Sequence, residues 1–264
     1  MKRVKIVSVL FVLLTAFSFT SCDTEPVDPV LNENTDPGTD PGTDPGTDPG
    51  TDPGTSDGDY WPLAINNKWV FLEDGVANDP MKITSTQNIE NKTYYRIDNF
   101  FANAGTGEMT GSATMLLRKD GANYSVRISA EIPEQEGMSI TVSPFEYVFL
   151  KDNLAAGQTW TETTTQTTSY DMPESPIPLP DMIMNLTFEG KILEKNVTAT
   201  VNGVEYTNVI KVSVKQTAVM QGVSLPPTVT NSEIWFSKGV GPIKSINTAT
   251  GLNVTQELDS YLVN

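Results

Sequence analysis

Histidine is absent from the sequence, and cysteine occurs once in 264 residues. Without histidine the chain cannot form a Ser-His-Asp triad, a Cys-His dyad or an imidazole metal site. A single cysteine rules out an intrachain disulfide and a thiolate zinc site. We therefore expect a non-enzymatic protein with no catalytic residues, no metal site and no cofactor. The composition leaves open only oxygen-based chemistry, such as glycoside hydrolysis by two carboxylates or calcium binding.

Basic residues are also scarce. The chain has 17 Lys and Arg against 33 Asp and Glu, which gives a formal net charge of -16. Nucleic acid is excluded as a partner, because its phosphates require a basic surface. Residues 23–59 contain eleven acidic residues and no basic one, so much of the negative charge lies before residue 60.

The first residues have the pattern of a secretory leader. Lys2, Arg3 and Lys5 precede an apolar run from Ile6 to Phe19. This run is shorter than the roughly 20 residues of a membrane-spanning helix, and small polar residues follow it. The pattern predicts a cleaved signal peptide over residues 1–21; an uncleaved anchor helix is the alternative.

The single cysteine follows this run directly, in the tetrapeptide Phe19-Thr20-Ser21-Cys22. The tetrapeptide resembles the lipobox of bacterial lipoproteins, with Phe19 at a position where the family favours leucine. The resemblance implies that Cys22 is lipidated and becomes the mature N-terminus. Two or more acyl chains hold a protein stably on a membrane, so the membrane is the expected partner.

An acidic segment follows the cysteine, with Asp23, Glu25 and Asp28. It resembles the export signal of Bacteroidetes-type surface lipoproteins. The resemblance implies an outer-membrane location facing the cell exterior, with the periplasmic face as the alternative.

Residues 22–59 are predicted to form a disordered linker. Residues 35–54 are five tandem copies of Thr-Asp-Pro-Gly, which offer no apolar side chain whose burial could offset the entropy of ordering. Calcium-binding loops space their acidic residues two apart, whereas here they recur every four residues. Calcium binding is therefore the less favoured interpretation.

Residues 60–264 alternate between apolar and polar side chains, as half-buried antiparallel strands do. Residues 124–131 and 210–215 alternate without a break, and Asn202-Gly203 is a strong hairpin signal. The pattern predicts one all-β domain of about ten to thirteen strands arranged as a meander, barrel or sandwich. Short helices are allowed near residues 98–110 and 144–156.

Two motifs resemble a broad group of secreted bacterial proteins of unknown function. Tyr60-Trp61-Pro62-Leu63 with Asn67-Lys68-Trp69-Val70-Phe71 is similar to their opening, with Asn66 in place of a usual glycine. Residues 234–244 are similar to their late hairpin, with Pro242 in place of an aliphatic residue. The resemblance implies a strongly curved, open antiparallel half-barrel like that of the lipoprotein-localisation factors, wrapped around an apolar cavity.

Two loops are candidates for a lid over such a cavity, because both carry apolar residues among prolines, and methionine adapts to irregular apolar ligands. The candidate lid residues are Met172, Ile177 and Leu179 in the first loop and Met220, Val223 and Leu225 in the second. The ligand would be apolar or amphiphilic. The alternative is that both loops are long hairpin connections packed on the end of the sheet.

A second hypothesis is a surface adhesin or glycan-binding module, since exposed tryptophan can stack on sugar rings. The four tryptophans are Trp61, Trp69, Trp160 and Trp235, of which Trp69 and Trp235 lie in the structural motifs and are expected in the core. Glu131, Glu134 and Glu136 form a cluster from which a hydrolase could draw two carboxylates, but their Pro- and Gly-containing segment is typical of a solvated loop. No motif identifies a protein partner.

Overall fold

The computed structural model describes residues 54–101, 112–134, 137–172, 179–249 and 252–264. All of them lie in one compact unit, Thr47–Asn264. The predicted leader, Cys22 and the linker up to residue 53 lie outside the described residues. Within the described ranges, no helix is long and apolar enough to span a membrane.

Every regular element in the described part of the chain is a β-strand. The strands are β1 Lys68–Glu73, β2 Val76–Ala77, β3 Met81–Ile89, β4 Lys92–Asp98, β5 Ser112–Asp120, β6 Asn123–Glu131, β7 Ser139–Val142, β8 Phe145–Lys151, β9 Thr159–Asp171, β10 Met182–Val201, β11 Val204–Met220, β12 Thr228–Ser237, β13 Gly241–Ala249 and β14 Leu252–Leu262. The prediction of an all-β antiparallel domain is confirmed. Residues 144–156 form β8 and a turn, where the sequence allowed a short helix.

The sheet closes on itself. Each strand pairs antiparallel with its neighbours, and the last strand, β14, pairs with the first, β1, from Lys68 opposite Leu262 to Glu73 opposite Gln256. Twelve strand positions make up the ring, because β7 and β8 share one position beside β6 and β2 lies outside it. The predicted open half-barrel is therefore wrong. Closure gives the two terminal strands hydrogen-bond partners that an open sheet would leave exposed.

The two ends of the barrel differ. At the near end lie the turns β5–β6, β8–β9, β10–β11 and β12–β13, together with residues 54–61, which we call the strap. At the far end, strands β4, β9, β11 and β13 finish. The strap carries Tyr60 and Trp61 into the barrel, where both are fully buried.

Trp61 is the centre of the core. Its ring lies 5.5–6.0 Å, centroid to centroid, from the rings of Trp69, Phe100, Phe149 and Phe236. These partners come from β1, β8, β12 and the residues after β4, so one side chain links distant parts of the wall. Aromatic pairs at such distances add stability beyond the area they bury.

The strap is fixed to the near end by polar contacts. Ser56 Oγ donates to Asp152 at 2.5 Å, and Lys195 Nζ donates to the carboxylate of Asp57 at 2.6 Å. The hydroxyl of Tyr124 donates to the carbonyl of Gly58 at 3.0 Å. Burial raises the pKa of Asp152, although its hydrogen bonds oppose the shift. The contacts between the strap and the barrel thus include residues before Tyr60.

A second polar cluster lies on the outer face of β4, β5, β6 and β8. Glu146 accepts hydrogen bonds from the hydroxyls of Tyr94 and Ser125, both at 2.6 Å, and lies 3.4 Å from Arg118. Burial alone would raise the pKa of the Glu146 carboxyl. The hydrogen bonds from Ser125 and Tyr94 and the charge of Arg118 outweigh burial, so the pKa is lowered.

This cluster predicts a pH-dependent loss of stability. Because folding lowers the pKa of Glu146, its contribution is complete above the unfolded value of about 4.3 and is lost as the pH falls through the folded pKa. Glu146→Gln should therefore lower Tm at neutral pH, and the difference from the wild type should shrink on acidification. Thermal unfolding over this range measures it, with the exposed Glu134→Gln as control. A difference that is constant with pH contradicts the assignment.

Trp61 predicts a large stability effect. Trp61→Ala should lower the free energy of unfolding by about 3–5 kcal/mol, the usual cost of deleting a buried aromatic side chain. Urea denaturation measures it. Trp235→Ala is the matched control, because Trp235 is only partly buried, and it should cost clearly less. Equal losses for the two variants would show that Trp61 does not organise the core.

Candidate binding cavity

The far half of the barrel contains a cavity of about 710 Å³. Its lining comes from β4, β5, β6, β8 and β10 to β14 and from the residues just after β4. In the near half, Trp61 and its aromatic neighbours pack against one another. The interior therefore changes from packed core to cavity along the barrel axis.

One wall of the cavity is apolar and largely aromatic. The rings of Tyr147 and Phe188 are stacked at 4.0 Å and are nearly parallel, at 3°. Phe100 and Phe101 meet edge to face at 5.1 Å. The other apolar lining residues are Ile97, Met115, Ile128, Phe149, Val214, Ile234 and Val254.

Beside the aromatic wall, strands β11 to β13 carry amides and hydroxyls. Gln216 on β11 lies opposite Thr230 on β12, and Ser232 lies opposite Asn247 on β13. Ser232 Oγ donates to Asn247 Oδ1 at 2.7 Å, and Asn247 Nδ2 donates to Ser245 Oγ at 2.7 Å. We call Gln216, Thr230, Ser232 and Asn247 the polar wall.

The sequence contains a signal for the polar wall, but in the sequence alone this signal looks like the ordinary alternation of a strand. The inward positions of β12 change from Phe236 and Ile234 near one end to Ser232 and Thr230 near the other. On β11 the same change occurs between Val214 and Gln216. A strand whose inward face switches from apolar to polar halfway indicates that the core ends there.

The aromatic wall also carries the hydroxyl of Tyr147. Burial raises the pKa of this phenol to about 12, so it is neutral and able to donate at physiological pH. No hydrogen bond joins it to another described residue, and Tyr147 belongs to the cavity lining. Its donor and acceptor capacity is therefore available to whatever occupies the cavity.

Charge is confined to the rim. Arg96 and Asp98 are the ionised residues of the lining; their side chains are 3.2 Å apart and about half exposed, at 49% and 45%. Within the described ranges, no group of three or more Asp, Glu or Cys side chains could hold a metal ion. The cavity surface between the two walls is accordingly uncharged.

The predicted lid residues lie near the far end but outside this lining. Leu179, Val223 and Leu225 are exposed, whereas Met172 and Met220 are half-buried. Ile177 lies outside the described residues. None of the five described residues is part of the cavity lining, and their role as a lid stays a prediction.

Three of the four tryptophans are buried. Trp61, Trp69 and Trp160 are at most 3% exposed, which confirms the expectation for Trp69. Trp235 is only partly buried, and Lys211 and Lys244 place their ammonium groups 4.2 and 5.0 Å from its ring centre. None of these rings offers the flat, open face that a sugar would stack on.

Trp235 belongs to a row of side chains that crosses five strands. In register, Glu194 lies opposite Lys211, Lys211 opposite Trp235, Trp235 opposite Lys244, and Lys244 opposite Glu257. Each lysine also pairs with its neighbouring glutamate, at 2.9 and 2.7 Å. The two lysines and the two glutamates of this row balance each other in charge. The row therefore stabilises the barrel surface as a ladder of paired side chains.

The described candidate carboxylates lie at and just after the end of β6. Glu131 is at the end of β6 and Glu134 follows it; both are exposed, and Glu136 lies outside the described residues. Neither described residue lines the cavity.

Comparison with known proteins shows a distant likeness to one solved structure. No protein-family model matches the chain, and no curated protein matches it. The chain is similar to the 2.70 Å crystal structure of a candidate lipoprotein from Parabacteroides distasonis ATCC 8503, with a TM-score of 0.42 and 8% identity, over 77% of this chain and 98% of that one. A likeness of this size carries no inference about function, which rests on the geometry of the cavity.

Proposed function

We propose that this protein is a non-enzymatic, outer-membrane-anchored lipoprotein whose barrel binds an apolar or amphiphilic small molecule in the far half of its interior. The observation that carries the binding part is the cavity with one aromatic and one amide- and hydroxyl-bearing wall. Its volume of about 710 Å³ falls in the usual range for small-molecule sites, roughly 300–1,000 Å³.

The lining supports binding in preference to catalysis. General acid–base chemistry needs a titratable group with a pKa near the working pH. Along the described lining, the ionisable groups are the Arg96–Asp98 ion pair at the rim and Tyr147, whose pKa of about 12 keeps it neutral. Such a surface can hold a molecule but has no group suited to transferring a proton at neutral pH.

The position of the strap suits a tethered binding protein. Ser56 and Asp57 are fixed at the near end, through Asp152 and Lys195, while the cavity lies in the far half. A linker that reaches the barrel at residue 54 therefore joins it on the side away from the cavity.

The anchoring part is tested by removing the thiol. Cys22→Ala should move the protein from the outer-membrane fraction to the soluble fraction, because the acyl chains have no other attachment point. Cell fractionation with immunoblotting measures it, with Ser18→Ala as the control within the leader. Surface proteolysis of intact cells then separates the exterior from the periplasmic face. Unchanged fractionation of the Cys22→Ala protein would overturn lipid anchoring.

The binding part is tested with a neutral fluorescent probe, N-phenyl-1-naphthylamine, and the chain from Asp23 to Asn264. Saturable one-site binding is expected. Val214→Phe should weaken it at least about tenfold, because the larger ring projects into the cavity that Val214 lines. Val204→Phe, at an exposed position beside the near-end turn, is the matched control. Absence of saturable binding, or equal affinity in both variants, would contradict the proposal.

A further inference from the structure

We propose that the cavity selects uncharged amphiphiles, whose hydroxyl- or amide-bearing head binds Tyr147, Gln216 and Thr230 while the apolar body lies against the aromatic wall. This inference rests on the proposed function and adds the chemical class of the ligand.

Three polar side chains of the cavity lining have unused hydrogen-bonding capacity. Tyr147, Gln216 and Thr230 all line the cavity, and their side chains make no hydrogen bond to another described residue. Polar groups inside a protein are nearly always paired with protein, water or a ligand. These three half-buried side chains can therefore bond to water or to the polar groups of an occupant of the cavity.

These three polar side chains lie close to one aromatic residue, Phe188. Phe188 stacks on Tyr147 at 4.0 Å and lies opposite Gln216 in the strand register, and Gln216 lies opposite Thr230. The four side chains follow one another around the wall, so the polar groups flank an aromatic face. A head with several hydroxyls or an amide can reach more than one of them, while its attached chain contacts Phe188 and the apolar residues beyond.

The charge of the lining also bears on which ligand heads the cavity accepts. The ionised groups of the described lining, Arg96 and Asp98, neutralise each other at the rim. A carboxylate or ammonium carried between the two walls would lose its water without gaining a counter-ion, which is strongly unfavourable. An uncharged head loses less hydration free energy on leaving water, and hydrogen bonds to the cavity lining offset this loss. The cavity therefore discriminates by charge as well as by polarity.

The test uses three molecules with the same twelve-carbon chain: 1-lauroylglycerol, laurate and dodecylamine. Each competes with N-phenyl-1-naphthylamine for the Asp23–Asn264 chain below its micelle concentration. We expect 1-lauroylglycerol to bind at least about tenfold more tightly than either charged molecule. Tyr147→Phe and Thr230→Val, which remove hydroxyls and little volume, should each weaken 1-lauroylglycerol roughly 3- to 10-fold, the usual effect of one lost hydrogen bond, and leave the probe unaffected.

Thr163→Val is the matched control, because Thr163 is exposed on β9, and it should change neither ligand. Laurate or dodecylamine binding as tightly as 1-lauroylglycerol would overturn the charge selection while leaving the proposed function standing. Equal 1-lauroylglycerol affinity in the wild type, Tyr147→Phe and Thr230→Val would overturn the assigned head site. Failure of the probe itself to bind would overturn the proposed function and this inference together. Thermal unfolding verifies that each variant is folded.

Discussion

The pairing of β1 with β14 is the constraint on which the rest of the structure depends. These strands lie at opposite ends of the domain sequence, and their antiparallel register runs from Lys68–Leu262 to Glu73–Gln256. By joining, they turn a long meander into a ring without free edges. A closed ring of this size encloses a volume that must be filled by side chains, by an inserted segment or by a ligand.

This molecule fills that volume differently in its two halves. In the near half the strap inserts Trp61, which contacts aromatic residues from several strands. In the far half the inward positions of β11, β12 and β13 become polar, and these shorter or polar side chains do not meet across the interior. The cavity thus begins where the inward residues change from apolar to polar. The strap places Trp61 in the near half, so the far half is the one that stays open.

Local features of the fold were predictable from sequence. Asn202-Gly203 forms the expected tight turn between β10 and β11, with φ of 46° and 77°, and the late strands match the alternation from which they were predicted. The apolar positions change parity between Ile192 and Val197, yet β10 continues through Asn196, which adopts a positive φ of 57° at an irregularity in the register. An irregularity in the strand pairing therefore accounts for the change of parity, and the strand does not end there.

Features that depend on distant contacts were not predictable. No residue in β1 or β14 indicates that the two pair, so closure was missed. The candidate lid residues lie in two loops, whereas the cavity is lined mainly by the strands, with Tyr147, Gln216 and Thr230 at ordinary alternating positions. Their polarity at inward positions is visible in the sequence, but it acquires meaning only when the register shows which residues face one another.

The central claim is that the far half of the barrel holds a ligand while the near half is solid core. Methyl-labelled methionine NMR tests it most directly, because Met115 lines the cavity and Met81 is buried in the core away from it. On titration with 1-lauroylglycerol, the Met115 methyl resonance should shift with saturation and the Met81 resonance should not. A titration that leaves Met115 unchanged, or that moves Met81 as much, would contradict the account.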